Sequence, residues 1–329
     1  MADDARLNVA ARWGLGLAVS AAMIGAVIWW ADPAEIGRLL WSARLGPLAV
    51  ALVLYAGVLS ARWMRLVGLV DGQKLSAHRL ELLWASAGHS FATQLMPARS
   101  GELTFPALWR RATGESLGEG TVFLGAIRVV ELGVLIPLYS VGLIVWLSGG
   151  GSAVGGGSIV AGLAGLGVLL LAGLPHLLRA GLGVAGWLVL QTRLAEIDAL
   201  EPLREAVPDA RQAIERLGRG RRLWLVGTTL AMWLMMFGVF TLVLAACGAD
   251  LGIAQSVVGA GGGIVGNLLP VGGIGSLGTM EAGWTAAFEA TGAPRGPVVA
   301  AGLLVHLIVI AGTGTATLVA AGLSKLLDD

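Results

Sequence analysis

Asn267-Leu268-Leu269-Pro270-Val271-Gly272-Gly273-Ile274-Gly275 decides the fold, together with an earlier stretch that resembles it, Gln94-Leu95-Met96-Pro97-Ala98-Arg99-Ser100-Gly101-Glu102. Each has an amide residue, two large apolar residues, a proline and then small residues, and each sits inside a long apolar tract. Proline removes a backbone donor and clashes with the preceding turn, and glycine leaves the chain loose, so a helix reaching Pro97, Gly101, Pro270, Gly272, Gly273 or Gly275 should break there. Broken backbone at membrane depth survives only where protein or a wet cavity satisfies it. Two such breaks in corresponding positions point to a site between two repeats.

The composition requires a membrane. Of 329 residues 56% are hydrophobic, the mean hydropathy is +0.80, and 13% are charged. A soluble domain carries about a quarter charged residues. A net charge of +1 argues against a nucleic-acid partner. Cys247 is the single cysteine, and His78, His89, His176 and His306 are scattered without HExxH spacing, so neither a disulfide within the chain nor a metal site is expected, and no cofactor is implied. No phosphate-cradling Walker loop is present. Gly261-x-Gly263-x-x-Gly266 has dinucleotide spacing, but no strand precedes it, and glycines at four-residue intervals suit close helix contact instead.

Outward from the two breaks, the apolar runs place spans at Trp13–Ala31, Pro47–Val70, Thr121–Leu147, Ile159–Leu174, Leu223–Ala246 and Pro297–Gly322. The first is read as an uncleaved helix. Arg62, Arg65, Lys74, His78 and Arg79 mark one end of the second span as cytoplasmic, and Arg110-Arg111 mark the end of the first broken hairpin. The connector 175–222 holds seven arginines from Arg193 onward, interleaved with acids, and reads as a cytoplasmic linker. Both termini then lie in the cytoplasm. The expected fold class is all-α and polytopic: one membrane domain, 1–329, with about six full spans and two re-entrant hairpins.

The halves match. Repeat 1 covers 47–147 with hairpin 80–111, and repeat 2 covers 223–322 with hairpin 251–292. From span end to proline is 27 residues (97 − 70) and 24 (270 − 246); from proline to next span is 24 (121 − 97) and 27 (297 − 270). Charge bias puts the ends of the two hairpins on opposite sides, so the repeat is inverted. The helices after Pro97 and Pro270 would begin near the midplane, with unpaired N–H groups and a positive dipole end, and Arg99 adds a full charge. Such a place suits an anionic group.

At Pro97-x-Arg99-x-Gly101-Glu102, Arg128-x-x-Glu131 and Pro270-x-Gly272-Gly273-Ile274-Gly275 with Glu281, the chain resembles the flippase-like membrane domain of the lysylphosphatidylglycerol synthases, the multiple peptide resistance factor family, in a stand-alone form. The resemblance covers roughly 47–322. The family often carries an acid of Asp type where Glu131 stands, and Arg in the last span where this chain has His306. No soluble aminoacyl-transferase domain is read, so the resemblance implies movement or handling of a lipid rather than its aminoacylation.

The expected substrate-binding residues are Arg99, Glu102, Gln94, Arg128, Glu131, Asn267, Glu281 and His306, since ionisable groups at membrane depth default to function. Arg99–Glu102 and Arg128–Glu131 are both i,i+3; for the second, a structural tie between span and hairpin stands beside a substrate role. Glu281 has no local partner, so a proton, Arg99, Arg128 and outer water are the alternatives. His306 is read as a packing histidine or a proton carrier. The expected function is a lipid flippase or transporter, for an anionic or isoprenoid-type lipid, without its own ATPase, and Arg99→Ala should abolish it. A membrane enzyme using Glu102, Glu281 or His306 as acid or base is the rival, and a scaffold subunit is the third reading. A Ser276–His306 dyad lacks the GxSxG setting of a hydrolase. The expected partners are a membrane lipid, a second copy of the chain, and lipid-biosynthesis enzymes. The expected location is the bacterial cytoplasmic membrane.

Overall fold

The computed structural model describes residues 32–70, 72–149, 157–191, 201–268 and 278–328, together with positions 21, 22, 25 and 29. Most of the expected first span, and Pro270, Gly272, Gly273 and Gly275, lie outside the described residues; so do the side chains of Pro97 and Arg99.

All regular structure among the described residues is helical. The helices are α1 (Pro33–Trp41), α2 (Leu45–Val67), α3 (Gly72–Leu95), a 3-10 helix (Pro97–Leu103), α4 (Thr104–Thr113), α5 (Leu117–Gly149), α6 (Gly157–Ala172), α7 (Leu174–Gln191), α8 (Glu201–Arg216), α9 (Arg219–Ala246), α10 (Ile253–Leu268), α11 (Thr279–Ala290) and α12 (Arg295–Asp328). Four of them, α2, α5, α9 and α12, are long and apolar enough to cross a membrane. The pair α6 and α7, bent by 72° at Gly173, makes up to five. The protein is an all-α polytopic membrane protein.

The two halves share an order of helices: span, hairpin arm, hairpin arm, span. They run α2–α3–α4–α5 and α9–α10–α11–α12. Their packing is reciprocal. The leading spans α2 and α9 lie against each other, α5 packs on α10, and α12 packs on α3. The last span of each half thus covers the first hairpin arm of the other.

Glycines allow the closest approaches. A Cβ on Gly262 would lie 2.2 Å from the carbonyl oxygen of Gly283, and one on Gly283 would lie 2.3 Å from that of Gly262. Gly266 meets the Thr279 carbonyl oxygen at 2.2 Å in the same way. The four-residue glycine spacing of α10 therefore seats α11, with backbone against backbone.

The first hairpin differs from the sequence reading at its start. Its entering arm starts at Gly72 rather than Leu80, because Gln73 to Arg79 holds no helix breaker and the helix continues through the charged turn. It breaks at Pro97 as expected, and the chain continues as a 3-10 helix with Pro97 at the first position, where its missing donor is not needed. Gly101 crosses α3 so closely that a Cβ would lie 2.3 Å from the Ala92 carbonyl.

The connector is also more than a solvated linker. Ala210, Ala213 and Ile214 of α8 are buried, the helix packs on α5, and Arg216 bonds Glu119 at 2.9 Å. The apolar stripe of this amphipathic helix finds a partner on the N-terminal end of α5.

Candidate functional site

A cavity of about 350 Å³ lies between the two halves, lined by α2, α3, α4, α5, α9, α10, α11 and α12. Both hairpins contribute to it: Gln94 and Phe105 from the first, Asn267 and Met280 from the second. Its size falls at the small end of ligand pockets, which run about 300–1,000 Å³.

Helical spacing explains which side chains face it. On α2, Val58, Arg62 and Arg65 recur at intervals of three or four and share one face. On α3, Ser86, His89, Ser90, Thr93 and Gln94 do the same. On α5, Leu124, Ile127, Arg128, Glu131, Leu132 and Leu135 complete the wall. Met232, Met236, Phe240, Ile264 and Trp284 from the second half make its apolar side.

A chain of charges crosses this wall. The Arg65 guanidinium donates to Glu131 Oε1 at 2.7 Å. Arg128 donates to the other Glu131 oxygen, and reaches Glu102 twice, at 2.5 Å to Oε1 and 3.1 Å to Oε2. Glu102 belongs to the 3-10 helix, so Arg128 ties α5 to the hairpin break. His89 Nε2 stands 3.9 Å from Glu102 Oε2, and its ring meets Phe105 edge-on at 5.1 Å. Each carboxylate of the chain therefore holds a guanidinium, as buried charges must.

Arg62 lines the same cavity, half-buried, and makes no hydrogen bond or ion pair among the described residues. The hydroxyls of Ser86 and Ser90 and the amide of Gln94 are likewise without a hydrogen-bond partner among the described residues.

On the other wall Glu281 and His306 form a second polar unit. The His306 Nδ1–H donates to Glu281 Oε1 at 2.5 Å, and Glu281 Oε2 accepts from the Gly278 backbone N–H at 2.7 Å. The carboxylate caps the start of α11, and both side chains are buried, at 1% and 3% exposure. His306 lines the cavity, while its Nε2 is buried without a partner among the described residues.

The expected residues thus divide. Gln94, Arg128, Glu131, Asn267 and His306 meet at one cavity. Glu102 and Glu281 stand one bond behind it, on Arg128 and His306. Glu281 meets His306, which was not among its expected partners, and Arg128 holds Glu102 and Glu131 instead. Gly101 serves the hairpin crossing. Sequence reasoning missed Arg62, Arg65, Ser86 and Ser90. Two arginines at i,i+3 before the end of an apolar run marked a cytoplasmic end, but the same spacing also places both on one helix face, here the one that lines the cavity. Among the described residues no group of His, Cys, Asp and Glu could hold a metal ion.

Fold and site together define a membrane-embedded helical protein whose two halves enclose an amphipathic, charge-lined cavity. The family model described as the lysylphosphatidylglycerol synthase TM region matches residues 13–315, and the chain belongs to that family. Its function is accordingly tied to membrane lipid. No curated protein and no solved structure matches the chain.

Proposed function

We propose that the protein moves a lipid between leaflets, with the headgroup in the cavity and the tails left in the bilayer. The observation that carries this reading is the cavity itself. It is built jointly by two hairpins, and it is cationic and hydroxyl-lined on one side and apolar on the other. Arginine suits phosphate because its planar fork of donors matches the phosphate oxygens.

On this reading the halves are inverted repeats, and exposure alternates as one rocks against the other. The reciprocal packing of α5 on α10 and of α12 on α3 supports that arrangement. The membrane is the bacterial cytoplasmic one, with both termini inside; the arginines of the connector support that orientation.

The enzyme reading has one observation in its favour, the buried Glu281–His306 pair, whose types suit acid–base work. Purified protein in vesicles with a panel of acyl-labelled lipids separates the two. Transfer of unaltered lipid across the bilayer is the expected result. A new lipid species in the extract would support the enzyme, and neither outcome would leave a scaffold role.

A further inference from the structure

Three guanidiniums line the cavity, and they are not equivalent. Arg65 and Arg128 are neutralised through Glu131 and Glu102. Arg62 has no acid among the described residues, although it lies within electrostatic reach of Arg65 and His89. A half-buried guanidinium that holds no carboxylate is open to a ligand anion.

The acids show the reverse. Glu131 holds two arginines, Glu102 holds Arg128, and Glu281 is engaged by His306 and the Gly278 N–H. Among the described residues at this site no carboxylate is left to receive an ammonium group. A headgroup amine would instead face Arg62, and like charges in a partly dry site repel strongly.

The uncharged groups complete the pattern. Ser86, Ser90 and Gln94 recur at four-residue intervals on α3 and line the cavity beside the charges. Hydroxyl and amide groups both donate and accept, which is what a polyol needs. About 350 Å³ accommodates a phosphoglycerol-sized headgroup but no acyl chains.

We infer that the cavity selects a lipid whose headgroup carries a phosphodiester and hydroxyls but no amine, with Arg62 holding the phosphate. The inference rests on the lipid-translocation reading of the same site. It separates this chain from carriers of aminoacylated lipid, which would need a free acid here.

The full-length protein is tested in vesicles containing acyl-labelled phosphatidylglycerol or acyl-labelled phosphatidylethanolamine, with dithionite reading the outer leaflet. Wild type should move the glycerol lipid at least tenfold faster than the ethanolamine lipid. Arg62→Gln should lose at least tenfold of that rate, and Arg62→Lys should fall between. Equal rates for the two lipids, or an undiminished rate in Arg62→Gln, would overturn the inference.

A second arm measures thermal stabilisation in detergent by short-chain phosphatidylglycerol, short-chain phosphatidylethanolamine and inorganic phosphate. The glycerol lipid alone should stabilise, and Arg62→Gln should abolish the shift. Equal stabilisation by inorganic phosphate would make this a free-anion site and overturn the lipid assignment. Should wild type move no lipid, translocation fails, and the detergent arm decides the headgroup assignment by itself. Should Arg62→Gln not fold, Arg62→Lys replaces it, with a weakened but still glycerol-selective shift expected; equal shifts for both lipids would overturn the assignment.

Discussion

At the scale of single residues, the site is governed by which charges are already matched. Glu131 is the hinge of that balance, since among the described residues it joins Arg65 to Arg128. Removing one member of a buried ion network strands the others, at a cost of about 3–5 kcal/mol. Glu131→Gln should therefore lower stability by that order in denaturant or thermal unfolding, whereas Arg62→Gln, which breaks no bond among the described residues, should leave it nearly unchanged. Equal effects would mean that the network is misassigned. Arg128–Glu131 was legible in the sequence because i,i+3 on one helix is a local rule. Glu281–His306 was not, because the partners stand 25 residues apart on different helices and only packing joins them. The place of Arg62 in the cavity wall was not legible, because a cytoplasmic flank and a cavity wall carry the same residue type.

At the scale of elements, backbone contact sets the geometry of both hairpins. Gly101 presses on Ala92, and Gly262 presses on Gly283. Gly101→Ala and Gly283→Ala should each cost about 1–3 kcal/mol, as overpacking does. Gly227 in α9 meets nothing within 4 Å, so Gly227→Ala should be neutral or stabilising, by about 0.5–1 kcal/mol. Unfolding curves of the three variants check this; a Gly227-like result at Gly283 would contradict the tight hairpin. The first break was legible from Pro97 and its neighbours, since proline chemistry is local. The 3-10 course after Pro97 and the docking of α8 were not. The first needs the hairpin's crossing contact, and the second needs the apolar N-terminal end of α5 as partner.

At the scale of the whole molecule, the proposed inverted repeat makes a prediction about sides. Arg110, at the end of the first hairpin, and Pro294, after the second, are both exposed. In intact cells Pro294→Cys should react with a membrane-impermeant maleimide, and Arg110→Cys should react only after permeabilisation. The native thiol should stay silent, because burial pushes Cys247 up to about 11 and leaves little thiolate at neutral pH. Labelling of both positions from the same side would refute the inversion. The all-α polytopic architecture was legible because hydropathy and span length are properties of the chain alone. The cavity was legible only as an expectation, because its walls come from helices up to about 250 residues apart in sequence, as the Tyr55 hydroxyl donating to the Val309 carbonyl at 3.3 Å illustrates.

The most direct test of the account is the rate at which vesicles containing the protein expose inner-leaflet labelled lipid, for wild type and for Ser90→Trp. Ser90 is 8% exposed and lines the cavity, so an indole there should fill the space meant for a headgroup. Wild type should move lipid well above protein-free vesicles, by about tenfold or more, and a folded Ser90→Trp should fall to the protein-free rate. A plugged variant that moves lipid at the wild-type rate would contradict the claim that the headgroup passes through this cavity.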